Sequence, residues 1–110
     1  MLPSKNKVNK TLFKEILKNG RSIHSPFFSF KYLNNPISTE RQFSVVVSKK
    51  VLKRAVDRNL LKRRIYSILK EQLKLNKPYS CVIWPKKEIS KMSYTELSVL
   101  LLNELKKIRV

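Results

Sequence analysis

The chain has 110 residues, enough for one domain with a modest core, and its 42% hydrophobic and 9% aromatic content exceeds what a disordered polycation carries. Its 25 Lys and Arg against 7 Asp and Glu give a formal net charge of +18. Charge of that size repels itself in a compact state and points to a polyanion as partner, nucleic acid first.

The opening stretch, MLPSKNKVNK, is polar throughout, and the apolar run VLLL near the other end is far too short to span a bilayer. A single cytoplasmic domain over 1–110 is therefore expected, with no membrane partner. A basic helix for an anionic membrane surface would want Trp or Phe on its apolar face, whereas the only tryptophan, Trp84, sits in a strand-like run. The lone cysteine, Cys81, can form neither an internal disulfide nor a zinc site and reads as a small buried hydrophobe.

Helical spacing comes first, at Val8, Leu12, Phe13, Ile16 and Leu17, with Asn9 suited to cap the start and Gly20 to end it. The period then falls to two. In FFSFKYL, Phe28, Phe30 and Tyr32 share one face, and Phe27, Ser29, Lys31 and Leu33 the other; NNPISTE follows as a loop. QFSVVVS repeats the alternation, with Phe43, Val45 and Val47 opposite Ser44, Val46 and Ser48. These two strands are expected to be antiparallel neighbours. A long helix is predicted from about Arg54 to Leu75, stopped by Asn76 to Pro78, then a strand YSCVIW closed by Pro85. Ser93 and Glu96 form a capping box before a stripe of Leu97, Leu101, Leu105 and Ile108.

The resulting order of helix, strands, helix, strand, helix indicates a small α+β or α/β domain. If helices cover one face of the two alternating strands only, the face bearing Ser29, Lys31, Ser44 and Ser48 stays open to a ligand. A plain solvated sheet face fits the same alternation.

Catalytic groups are scarce. The seven acids, Glu15, Glu40, Asp57, Glu71, Glu88, Glu96 and Glu104, are scattered; the one histidine, His24, has no acid or cysteine beside it and reads as a strand-edge residue; and the single glycine excludes a phosphate-cradling loop. The polypeptide is expected not to be a catalyst, to bind no metal or cofactor itself and to have no small-molecule substrate. The charge, by contrast, is organised. Lys49 to Arg64 carries eight Lys or Arg and one acid. On a helical wheel Leu61, Ile65, Ile68, Leu69 and Gln72 gather on one side, and Asn59, Lys62, Arg63, Tyr66 and Lys70 on another. With Lys49, Lys50, Lys53 and Arg54 beside it, this stripe offers several phosphate contacts together, and Arg and Asn add planar, directional donors.

The stretch VSKKVLKRAVDRNLLKRRIYSILKE resembles the signature of the bacterial ribonuclease P protein subunit family: a strand ending in Ser-Lys-Lys, a short loop, then a helix carrying Ala, Arg-Asn-Arg and Lys-Arg. Those positions are Ser48, Lys49, Lys50, Ala55, Arg58, Asn59, Leu60, Lys62 and Arg63, and LFKEILKNGRS is similar to the family's first helix at Phe13, Leu17 and Gly20. Three residues depart from the pattern: Leu60 for the second Arg, Tyr66 where Arg is frequent, and Ser44 where Gly is frequent.

The resemblance implies a four-stranded sheet with three helices in the order α-β-β-β-α-β-α and a left-handed β-α-β crossover, against the general rule. It implies a partner of the catalytic RNA that removes the 5′ leader of precursor tRNA, with Mg2+ at the RNA active site. Lys49, Lys50, Lys53, Arg54, Arg58, Asn59, Lys62, Arg63 and Tyr66 would contact RNA. The leader would lie in a cleft between central helix and sheet, with Phe13, Leu17, Ser29, Lys31, Ser44, Val46 and Ser48 as its residues. Another small basic RNA-binding protein, such as a ribosomal protein, is the competing reading. A helix-turn-helix module would need two short helices where one long helix is predicted.

Overall fold

A computed structural model of the protein describes residues 2, 6–34, 40–72 and 78–108. Its elements are α1 (Lys10–Asn19), β1 (Arg21–His24), β2 (Phe28–Asn34), β3 (Gln42–Val45), α2 (Ala55–Leu69), β4 (Tyr79–Pro85) and α3 (Tyr94–Leu105), with single 3-10 turns at Lys70–Gln72 and Lys87–Lys91. This is the α+β order expected. α2 ends at Leu69 and passes into a 3-10 turn, short of the Leu75 expected for the central helix; Leu75 and Asn76 themselves lie outside the described residues.

β4 decides the architecture. Tyr79, Ser80, Cys81, Val82, Ile83 and Pro85 are all buried, the pattern of a strand covered on both faces. It lies between β2, to which it is antiparallel, and β3, to which it is parallel, so the sheet order is β1-β2-β4-β3. The expectation that β2 and β3 pair directly is therefore wrong: alternation fixes which residues share a face but not which strand is the neighbour. β1 escaped the periodic reading because RSIH has one apolar residue and lies exposed at the sheet edge. Ser25 turns the chain between β1 and β2, its hydroxyl oxygen accepting from the Phe28 N–H at 3.0 Å.

One sheet face carries the main core. Phe28, Phe30, Tyr32, Phe43, Val45, Val47, Cys81 and Ile83 meet Leu61, Ile65, Ile68 and Leu69 of α2 and Leu97, Leu101 and Leu105 of α3. The Cys81 thiol is fully enclosed, and that burial pushes it well above its ordinary range, which suits an inert packing group. At the start of α3 the Ser93 hydroxyl accepts from the Glu96 N–H, the first bond of the capping box, and donates to the Glu96 carboxylate.

The opposite face is not left open. Val82 is fully buried there, as is Ile16 of α1, and neither belongs to the main core. α1 crosses β2 and β4 on this side, capped by the Asn9 carboxamide oxygen, which accepts from the Leu12 N–H at 2.8 Å. Helices thus occupy both faces, because the inserted strand puts an apolar side chain on each.

Gly20 ends α1 for a steric reason. Its φ of −71° is open to any residue, but a Cβ would stand 2.4 Å from the Ile16 carbonyl oxygen. Gly20→Ala should therefore lower stability by about 1–3 kcal/mol through forced displacement, seen as a lower urea midpoint with unchanged slope.

Candidate nucleic-acid interface

The basic surface is built from a turn and the helix it feeds. The Ser48 carbonyl accepts from the N–H groups of Val51 and Leu52, at 3.1 and 3.2 Å, folding Lys49 and Lys50 outward while Val51 and Leu52 pack on the core. Arg58 closes the segment from above. Its Nη1 donates to the carbonyls of Leu52 (3.0 Å) and Lys53 (2.7 Å), so this half-buried guanidinium holds the loop in place. Lys49, Lys50, Lys53 and Arg54 are exposed, and Arg54 lies 3.5 Å from Asp57, an exposed pair of small energetic worth.

Along α2, Asn59 and Arg63 are exposed and Lys62 half-buried, flanking the apolar side as the wheel predicts. Tyr66 belongs to the same stripe but points its hydroxyl at the sheet, where the oxygen accepts from the Val45 N–H at 3.0 Å. That N–H faces away from β4, on the free edge of β3. The same edge is covered further along by the chain before α1: Lys7 bridges Phe43 in parallel, and the Val8 N–H donates to the Phe43 carbonyl at 3.3 Å.

Of the seven residues expected to line the leader face, Ser29, Lys31, Ser44 and Val46 lie on the side of the sheet that α1 crosses and Phe13 and Leu17 belong to α1 itself, whereas α2 packs on the other side. Register sorts the sheet residues into two adjacent rows. In one, Ser22, Lys31, Val82 and Ser44 are successive cross-strand partners from β1 to β3. In the next, His24, Ser29 and Trp84 are partners, with Val46 following on the β3 side of Trp84. The Lys31 ammonium donates to the Leu17 carbonyl at 2.8 Å, where a cation complements the helix C-terminus. Leu17 is 40% exposed, and half-buried Phe13 lines a shallow depression of about 250 Å³ with Val8, Asn9, Lys10 and Lys14. Ser48 stands apart, exposed at the turn that presents the lysines.

Sequence reasoning missed the β4 residues in both rows. Val82 and Trp84 alternate out of YSCVIW onto this face, yet only strand order shows that they separate Lys31 from Ser44 and Ser29 from Val46. His24, read as a strand-edge residue, does stand at an edge, and its ring Nδ1 lies 3.2 Å from the Ser29 hydroxyl. Among the described residues no group of three or more His, Cys, Asp or Glu is close enough together to hold a metal ion.

The family model for ribonuclease P matches residues 2–109 of the chain. A ribonuclease P protein component of a Pseudanabaena species is 33% identical over 112 residues, covering 100% of this chain and 97% of the relative. The solved ribonuclease P protein of Thermotoga maritima superposes with a TM-score of 0.78 at 28% identity, covering 89% of this chain and 92% of that one. The Staphylococcus aureus protein shares the fold with a TM-score of 0.80 at 24% identity, over 92% and 93% of the two chains. Across the basic turn, the Arg-Asn helix and the sheet alike, the chain belongs to the ribonuclease P protein family, the protein components of a ribonucleoprotein endonuclease.

Proposed function

We propose that the chain binds the catalytic RNA of ribonuclease P through its basic turn and α2, and holds the 5′ leader of precursor tRNA on the sheet face beside α1. The observation that carries this reading is the separation of two surfaces on one short segment. β3 and the residue after it set Ser44 and Val46 on the face that α1 crosses, the following turn exposes Lys49 and Lys50, and α2 continues the basic surface.

In this reading the RNA performs the cleavage with Mg2+ at its own active site, in the cytoplasm. The polypeptide supplies binding and position. Lys49, Lys50, Lys53, Arg54, Lys62 and Arg63 neutralise phosphates, Asn59 adds a directional donor, and Arg58 acts through the loop carbonyls it fixes. On the sheet, Lys31 draws the leader backbone, and Phe13 and Leu17 border it from α1.

The decisive experiment is reconstitution. RNA-free protein should leave precursor tRNA intact, and addition of the cognate RNA with Mg2+ should restore cleavage at physiological salt. Mg2+-dependent cleavage by the protein alone overturns the reading.

Within the reconstituted enzyme, Arg63→Ala and Asn59→Ala should weaken assembly more than Lys106→Ala, with Arg63→Ala lowering the salt slope by about one and Asn59→Ala leaving it unchanged. Arg58→Ala should weaken it too, and should also speed amide exchange over residues 48–54, which Arg63→Ala leaves unchanged. Equal losses from both ends of the chain would mean that only diffuse charge matters.

Lys31→Ala and Phe13→Ala should reduce affinity for precursor tRNA while sparing mature tRNA. Equal loss for both ligands removes the residue concerned from the leader surface.

A further inference from the structure

Trp84 is the only tryptophan in the chain, and the fold does not use it as tryptophan is ordinarily used. A large aromatic usually supplies core area. Trp84 is absent both from the main hydrophobic core and from the partly buried residues packed against it. It is also the one residue of β4 that is not buried.

Register with Ser29 places it on the face opposite Phe28, Phe30 and Ile83. Ser29 is small, and on its other side His24 brings an exposed ring whose Nδ1 lies 3.2 Å from the Ser29 hydroxyl. Indole and imidazole therefore stand on either side of a small residue, two strand spacings or about 10 Å apart. Lys31, the cross-strand partner of Val82, lies one strand over and two residues along from Trp84, about 8 Å away, a separation comparable to that of a nucleobase from its own phosphate.

We infer that Trp84, with His24 beside it, forms a stacking site for a nucleobase of the single-stranded leader, a specific subsite of the surface proposed above and resting on that reading. The indole face takes the base, the imidazole edge bounds the next position, and the Lys31 ammonium meets the connecting phosphate. Stacking on an indole tolerates any base, which suits leaders of varied sequence.

The test uses the enzyme reconstituted from this chain and its RNA, with precursor and mature tRNA as ligands. Because Trp84 is the sole tryptophan, its emission reports the site directly: precursor tRNA should change it, and mature tRNA should not. Trp84→Ala should cut the ratio of precursor to mature affinity by about five- to tenfold, and Trp84→Phe should restore most of it. A precursor carrying an abasic nucleotide at the stacked position should lose the same factor with the unsubstituted protein and nothing further with Trp84→Ala. That non-additivity is a readout which mere destabilisation would not produce.

If the unsubstituted enzyme distinguishes the two ligands while Trp84 emission stays constant and no abasic position matters, the stacking site is overturned and the leader surface stands. If it does not distinguish them at all, both readings fall. Should Trp84→Ala not fold, the emission and abasic measurements on the unsubstituted protein decide.

Discussion

The insertion of β4 between β2 and β3 is the constraint on which the rest of the molecule depends. A strand whose side chains are apolar in both directions needs cover on both faces. Cys81 and Ile83 are met by α2 and α3, and Val82 lies beneath α1 with Ile16. Once α1 lies across the second face, Ser29, Lys31, Ser44, Val46 and Trp84 keep only part of their surface. The place where a ligand can approach the sheet is thus set by apolar burial rather than by the polar residues that line it.

The second constraint is a charge of +18 on a fold with one small core. The fold accommodates it by keeping the cations at the surface and giving several of them backbone partners. Arg58 is bound to two loop carbonyls and Lys31 to the last turn of α1. Hydrogen bonds from charged donors are stronger than neutral ones and offset part of the repulsion locally. α3, from Tyr94 to Leu105, carries no Lys or Arg at all and two glutamates, so the helix completing the core adds nothing to the repulsion.

Much of this was legible in the residues, and what was not had a physical reason. Period-two alternation separated Phe28, Phe30 and Tyr32 from Ser29 and Lys31 correctly, because the pleat forces it. The Asn9 and Ser93 caps were readable because each side chain serves a backbone N–H only three positions away. Strand order was not readable, since β3 meets β4 across the whole length of α2 and no local pattern encodes that pairing. The interface divides in the same way. The basic stripe follows from helix geometry alone, but the roles of Arg58 and Tyr66 depend on which carbonyl or N–H lies opposite, and that is a tertiary fact.

The departures from the family pattern make sense once those partners are known. Tyr66, in place of the frequent arginine, accepts from the Val45 N–H and so closes an edge of β3 that would otherwise present an unpaired donor. Leu60, in place of the second arginine, is 43% exposed and stands with Arg64, Leu52, Ile89 and Leu97 around a depression of about 320 Å³ between α2 and α3, on the flank away from the basic stripe. A cation at 60 would stand one turn from Asp57, which already faces Arg54. Neither exchange removes a charge from Lys49, Lys50, Lys62 or Arg63. Because Tyr66 joins α2 to β3, and Arg58 joins α2 to the turn that follows β3, the basic helix and the sheet face are fixed to one another by two hydrogen-bonded links. A partner bound to the helix would thereby find the sheet face held at a set orientation to it.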